Sequence, residues 1–282
     1  LGRAVVGADN DGARLDRFLS LDLMPSKASA RKAAKRGDVL LNGATVESSR
    51  IVRQGDQVVL LASTKGPHKV LELRVPVVYE DAWMAVVDKP AGLATSGSKH
   101  RTLEHALPFN LSPSTLPHAL AAPRVVHRLD FGTSGLVAVA KTGAAHGALG
   151  RAFETRQVDK RYLAVAVGAL RGEGVCEEPI EGRRAKTGWR TLEIWSSQRF
   201  GHLSLVEARP ETGRTHQIRR HLAHLGHPIV GDEVYGHDVG IGRGLLLCAV
   251  GLALPHPDTG ERLDLERDPP PKFLRLRRPE AP

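Results

Sequence analysis

Cysteine is scarce in this chain. Cys176 and Cys248 are the only two among 282 residues, far apart and outside any CxxC pairing. That excludes a disulfide framework and a thiolate zinc site, and the usage fits a reducing compartment, so a cytoplasmic location is expected. Long hydrophobic runs are also missing. The longest apolar stretch, Leu245 to Leu254, is interrupted by Gly251 and falls well short of the ~20 residues a spanning helix needs. Residues 1–10 carry Arg3 and Asp9 and no apolar segment, so no secretory signal is visible. Neither a phosphate-binding GxxxxGKS/T run nor a GxSxG nucleophile elbow occurs, which argues against nucleotide hydrolysis and serine hydrolase chemistry. GIGRG at 240–244 has the wrong spacing for a dinucleotide fingerprint and reads as a loop.

Basic residues, in contrast, are in excess: 40 Lys+Arg against 31 Asp+Glu give a formal net charge of +9. Hydrophobic residues at 41% and charged residues at 25% are close to the globular average, too apolar for a disordered polycation, so a sizeable core is expected. A basic globular protein points to an anionic partner, most commonly nucleic acid; surface charge kept for solubility is the competing reading.

The pattern along the chain divides it. Residues 12–62 read as a small module in the order helix, helix, hairpin, strand. Leu15, Phe18, Leu19 and Leu23 fall at helical spacing, Ser26 can cap a second helix through Lys35, and Asn42-Gly43 marks a hairpin. Lys27, Arg31 and Lys35 share a face of the second helix. Such like charges repel in a free helix, a cost that a phosphate backbone reverses. Residues 63–70 read as a polar linker carrying Gly-Pro, and residues 71–282 as the larger domain. There, short apolar runs separated by Gly/Pro turns, with helices near 143–156 and 214–225, predict an α+β fold: a mixed, largely antiparallel sheet with flanking helices.

Three clusters in the larger domain could carry chemistry. In VVHRLDFGTSGLVAVAK, residues 125–141, a polar loop joins two strand-forming segments and holds Asp130, where a carboxylate can face a cleft. Ordinary turn chemistry would also place an Asp there. In KRYLAVAVG, residues 160–168, strand alternation puts Tyr162 on one face with Lys160, Ala164 and Ala166, leaving space beside its ring. A core tyrosine is the plainer alternative. In ETGRTHQIRRHLAHLGHPIVGDEVYG, residues 211–236, Thr212-Gly213 can open a helix that buries Ile218, Leu222 and Leu225 and ends at Gly226. His216, His221, His224 and His227 lack a His-Glu-x-x-His pair, and only His221 and His224 share a face, so no metal is expected and the histidines read as polar, nucleic-acid-facing surface.

At HRLDFGTSGL the sequence resembles the RluA-type pseudouridine synthase family, enzymes that isomerise uridine to pseudouridine in ribosomal or transfer RNA. DKPAGL at 88–93, HRLD and TSGL within 127–136, K-x-Y at 160–162, and GRTHQIR followed by GHPI-x-GD-x-YG within 213–236 keep the family's order and spacing over roughly residues 77–256. The unit at 14–61 is similar to the RNA-binding module, shared with a ribosomal small-subunit protein, that many members carry at the N-terminus. The resemblance implies that Asp130 is the essential aspartate, that Tyr162 packs against the target uracil, that Arg219 pairs with the aspartate and that Leu247 flanks the base. Arg128 is a candidate to fill the space left by a flipped nucleotide. Two departures are visible: Cys248 stands where the family usually has histidine, a position beside the site, and ATSGSKHRTLEHALP after DKPAGL lacks the usual histidine- and glycine-rich character.

The implied reaction breaks the glycosidic bond, turns the uracil and rejoins it through carbon 5, with no net oxidation or hydrolysis, so no cofactor is expected. A carboxylate could act by attacking the anomeric carbon or by taking a sugar proton to give a glycal. Burial alone would disfavour its charge, so a cation such as Arg219 is required beside it. Flipping the nucleotide costs a few kcal/mol, of which stacking on Tyr162 could return ~1–3 kcal/mol. RNA is the expected partner, with no membrane, and the chain is expected to be a monomer. A pure RNA-binding or ribosome-assembly protein would have lost Asp130, Tyr162 or Arg219, and all three are present.

Overall fold

The computed structural model describes residues 2–24, 26–35, 37–60, 70–97, 99–116, 119–236 and 244–276. The expected linker at 63–70, apart from its last residue, and most of GIGRG at 240–244 lie outside the described residues.

The small unit contains β1 (Gly2–Val5), α1 (Leu15–Asp22), α2 (Lys27–Lys35), β2 (Val39–Leu41), β3 (Ala44–Thr45) and β4 (Gln57–Leu60). Leu15, Phe18, Leu19 and Leu23 are all buried, and their stripe meets Ala30, Ala33 and Ala34 of α2, whose small side chains let the helices approach. Ser26 Oγ accepts the Ser29 backbone N–H at 3.1 Å, capping α2. Asn42 and Gly43 both have positive φ, 50° and 85°, as the tight turn between β2 and β3 requires. The strand β1 lies upstream of the expected module boundary at residue 12. It completes a four-stranded sheet in the order β1-β4-β2-β3, pairing Gly2 with Leu60 through Val5 with Gln57.

The larger unit runs β5 (Val77–Glu80), β6 (Met84–Lys89), α3 (Leu103–Asn110), β7 (Ala119–Val125), β8 (Ser134–Thr142), α4 (Gly143–Glu154), β9 (Asp159–Val167), β10 (Glu173–Cys176), β11 (Thr187–Ser197), β12 (Gly201–Pro210), α5 (Gln217–His224), β13 (Leu247–Pro255), β14 (Arg262–Glu266) and α6 (Pro271–Arg275). Its sheet has the order β10-β11-β12-β9-β13-β8-β6-β5, with β14 added to β13 and β7 to β8. Strand alternation supplies both faces. Ala85, Val87, Val137 and Val139 enter one core with α3, α5 and Phe273 of α6, while Met84, Val86, Leu136, Ala138 and Ala140 enter another with α4. The small unit rests on this second layer through contacts between α1 and α4.

Among the described residues every strand pairing is antiparallel except β8 with β13, where Cys248 lies opposite Ser134 and Ala249 opposite Gly135. The two backbones approach so closely that a Cβ at Gly135, whose φ is 118°, would sit 2.1 Å from the Ala249 carbonyl oxygen. Only glycine fits there. This crossing brings the loop before β8 and the first residue of β13 to the same end of the sheet. The helix expected from Thr212 begins instead at Gln217. Gln217 Oε1 accepts from Thr212 Oγ1 (2.7 Å) and from the Arg214 N–H (3.0 Å), holding residues 212–216 as a turn that places His216 at φ 55°.

Candidate active site

The loop between β7 and β8 carries Asp130, and its backbone is fixed from several sides. Thr95 Oγ1 donates to the Leu129 carbonyl at 2.7 Å and accepts the Leu129 N–H at 3.1 Å. Lys89, fully buried at the end of β6, donates from Nζ to the carbonyls of Pro90 (3.0 Å) and Leu93 (2.7 Å) and reaches that of Phe131 (3.5 Å). Burial draws the Lys89 ammonium down to about 8, against the opposing pull of Asp130 and Asp88. His127 accepts the Ala138 N–H on Nε2 at 2.9 Å and stacks on Phe153 with ring centres 4.4 Å apart. Burial pushes its imidazole down to about 3, so the ring is neutral with its proton on Nδ1.

A cavity of about 490 Å³ opens at this end of the sheet. Asp130, Arg128, Tyr162, Arg219 and Leu247 all line it, drawn from four segments of the chain. Tyr162 is buried in β9 between Ala208 of β12 and Ala249 of β13, so small neighbours flank its ring on both sides. Leu247 opens β13 opposite Ala164. Arg128 is exposed at the mouth. Burial raises the Tyr162 hydroxyl above its ordinary range, and Asp130 adds to the effect.

The Asp130 carboxylate, 20% exposed, makes no side-chain hydrogen bond among the described residues. Arg219 Nη1 stands 3.8 Å from its Oδ2, and His216 Nε2 stands 3.8 Å from its Oδ1. The expected pairing of Arg219 with Asp130 is present as this long ion pair, and a second carboxylate holds the arginine more tightly. Arg219 directs its fork to Asp232, with Nε donating to Oδ2 at 2.8 Å and Nη2 to Oδ1 at 2.7 Å, and only its remaining nitrogen turns to Asp130. Asp232 is fully buried and also accepts the N–H groups of Val234 (3.1 Å) and Tyr235 (3.2 Å). Burial disfavours its charge, but the Arg219 fork and these N–H groups outweigh burial and hold the carboxyl below the usual range. The Arg219 guanidinium lies 5.1 Å from the centre of the Tyr235 ring, and the Tyr235 hydroxyl meets His216 Nδ1 at 3.0 Å. Burial lowers His216, with Asp130 opposing.

The histidine-rich stretch is therefore not a uniform polar surface. His221 is buried, with Nδ1 at 2.9 Å from Thr187 Oγ1 and Nε2 at 3.0 Å from the Glu178 carbonyl. His227 Nδ1 meets the Val167 carbonyl at 2.9 Å, His216 lines the cavity, and only His224 is exposed. No cluster of possible metal ligands occurs among the described residues. Cys248 is buried on the opposite side of β13 from Leu247, and burial raises its thiol. Sequence reasoning passed over Lys89, Thr95, His216, Asp232 and Tyr235 as individual site residues. All but Thr95 lie in the motif runs that carry the resemblance; Thr95 leaves no local signal.

On the small unit, Lys27, Arg31 and Lys35 project from the solvent face of α2 while Ala30, Ala33 and Ala34 face inward. Arg31 is not a free cation: its Nε donates to the buried Asp16 at 2.7 Å.

Comparison with known proteins adds independent findings. Residues 84–224 match the model of the RNA pseudouridylate synthase family, and residues 13–58 match the S4 domain. The chain is 36% identical to the ribosomal large subunit pseudouridine synthase D of Xanthomonas campestris pv. campestris, over 98% of this chain and 91% of the relative. It is 34% identical to the protein of the same description in Pseudomonas aeruginosa, over 94% and 91%. Among solved structures it is similar to human RNA Pseudouridylate Synthase Domain Containing 1, with a TM-score of 0.55 and 28% identity over 72% of this chain and 85% of that one. No described helix is long and apolar enough to cross a membrane.

Proposed function

The chain belongs to the RNA pseudouridylate synthase family and isomerises uridine to pseudouridine in RNA, and on that premise we propose that Asp130 is its catalytic carboxylate and large-subunit ribosomal RNA its substrate. The observation that carries the site assignment is convergence: Asp130, Tyr162, Arg219 and Leu247 come from separate segments and line one cavity. The substrate assignment follows the relatives described as large-subunit enzymes.

In this reading the target uridine leaves its stack and enters the cleft, with the Tyr162 ring and the Leu247 side chain bounding the uracil. Alanines 208 and 249 leave room beside the ring. Arg128, exposed at the mouth, occupies the gap in the RNA. The Asp130 carboxylate acts at the sugar, by bonding to the anomeric carbon or by taking a sugar proton. The bond from that carbon to N1 breaks, the uracil turns, and the bond to carbon 5 forms as Asp130 leaves the anomeric carbon or returns the sugar proton; the carbon 5 hydrogen leaves as a proton and N1 gains one. Arg219 is a positioning residue: clamped by Asp232, it presents one nitrogen to Asp130 without a hydrogen bond that would tie up the carboxylate. Lys27, Arg31 and Lys35 dock the small unit on RNA phosphates.

The test is tritium release from RNA labelled at carbon 5 of uridine, using large-subunit rRNA, small-subunit rRNA and tRNA transcribed in vitro. Release confined to large-subunit rRNA is expected. Release from tRNA or small-subunit rRNA alone would overturn the substrate assignment, and release from none would overturn the reading.

A further inference from the structure

The cavity extends past the uracil site toward the end of α4, where its character changes. Lys160 and Tyr162 share a face of β9, two residues apart, or about 6.6 Å along a strand. Lys160 has one hydrogen bond among the described residues, from Nζ to the Thr212 carbonyl at a long 3.4 Å, and no carboxylate partner. Beside it, His127 has given its only acceptor, Nε2, to the Ala138 N–H, so the ring offers the cleft nothing but its Nδ1–H. Arg156, in the left-handed region at φ 60° just beyond α4, adds an exposed guanidinium to the lining with no ion pair among the described residues. An ammonium, a neutral imidazole N–H and a guanidinium have hydrogens to give and no lone pair to receive one. Two carboxylates lie at this rim: Glu211 is engaged by Lys186 at 2.9 Å, and Glu154 is exposed.

These three donors, within one sugar-phosphate unit of the base site and beside a Glu211 that Lys186 already engages, call for a ligand that accepts. We propose that Lys160, His127 and Arg156 form a subsite for a backbone phosphodiester of the RNA strand flanking the target uridine. The proposal rests on the isomerase reading given above and extends it from the base to its neighbour. The subsite places that flanking phosphate on the Lys160 side of Tyr162. Stacking on Phe153 and the hydrogen bond from Ala138 hold the imidazole in place before RNA arrives.

The experiment compares full-length wild type with Lys160→Gln, Lys160→Arg and Arg156→Gln. It measures binding to in vitro transcribed large-subunit rRNA across a potassium chloride series, together with tritium release from the same RNA. Lys160→Gln should lower kcat/KM about tenfold or more and reduce the slope of log affinity against log salt by about 0.7, the value for one phosphate contact on a single strand. Lys160→Arg should restore most of both, and Arg156→Gln should produce a smaller change in the same direction. An unchanged salt slope in Lys160→Gln would overturn the subsite even if turnover fell, since a merely structural lysine would not alter counterion release. Inhibition by inorganic phosphate beyond that of chloride at equal ionic strength, abolished by Lys160→Gln while the rRNA slope stays fixed, would assign the site to a free anion and equally overturn it. Wild type that binds with the expected slope difference but releases no tritium would count against the isomerase reading, not against the subsite.

Discussion

In the small unit, Asp16 is buried at 2% side-chain exposure and clamped by Arg14 and Arg31, whose side chains are 49% and 59% exposed. In the large unit, Asp232 is buried completely and clamped by Arg219, which is itself only 9% exposed. The pairing is the same and the consequence is opposite. In α2 the clamp anchors a guanidinium whose remaining face meets solvent, beside Lys27 and Lys35. In the cleft the clamp turns the remaining nitrogen inward, 3.8 Å from Asp130. On the proposed function, burial of the arginine, more than the identity of its partner, decides whether the residual charge serves docking or chemistry.

The sharpest way to separate the two clamps is to remove the arginines. Arg219→Ala strands a fully buried carboxylate and should destabilise the large unit by about 3–5 kcal/mol, read as a lower urea midpoint. Arg219→Lys keeps a charge but loses the fork, and should recover part of that stability while leaving tritium release well below wild type.

Acid should also distinguish the regions. His127 is held at about 3 in the fold against an ordinary value near 6.5. Between those values the unfolded chain binds one more proton, so stability is complete above pH 6.5 and falls as pH drops toward 3. Asp16 is held at about 2, chiefly by the hydrogen bonds from Arg14, and its contribution is lost only as pH falls below about 4 toward 2. Hydrogen exchange followed against pH should therefore show strands β7 and β8 loosening at higher pH than α1 and α2. The reverse order would mean that His127 is not the group that sets the acid limit of the large unit.

Smaller effects belong to the exposed cations. Arg31→Ala leaves Asp16 with Arg14 and should cost about 1 kcal/mol or less, because Arg31 itself is largely exposed and Arg14 still pairs with the carboxylate. Lys27→Ala and Lys35→Ala should leave the melting temperature unchanged and each reduce the salt slope of RNA binding by about 0.7–0.9. Unchanged slopes would assign that face of α2 to solvent.

These two regions were also unequally legible in the sequence. The helix-helix-hairpin of the small unit is written in local spacing: Leu15, Phe18 and Leu19 on one stripe, alanines facing them, Asn42-Gly43 at the turn. The strand β1 was invisible because four residues acquire meaning only when paired with β4, more than fifty positions away. In the large unit, motif runs brought Asp130, Tyr162, Arg219 and Leu247 to notice, and the structure places all four on one cavity. The motif implied that Arg219 pairs with Asp130, but its tighter hold by Asp232 was not legible, since that depends on how α5 lies against the turn after it. Nor was the burial of His221, whose ring is satisfied by Thr187 and Glu178 from distant segments. Two further elements escaped: α3 carries Pro108 inside its eight residues, and the eleven-residue β11 mixes half-buried and exposed positions around a register shift between Thr191 and Glu193, which leaves no clean apolar alternation.

The most direct test of the account is Asp130→Asn with two readouts. The Asp130 side chain makes no hydrogen bond among the described residues, and Arg219 and His216 each stand 3.8 Å from it. Removing its charge should therefore leave the melting temperature and rRNA affinity close to wild type while tritium release falls by at least about 10³-fold. An Asp130→Asn protein that folds, binds rRNA and still releases tritium at the wild-type rate would contradict the account.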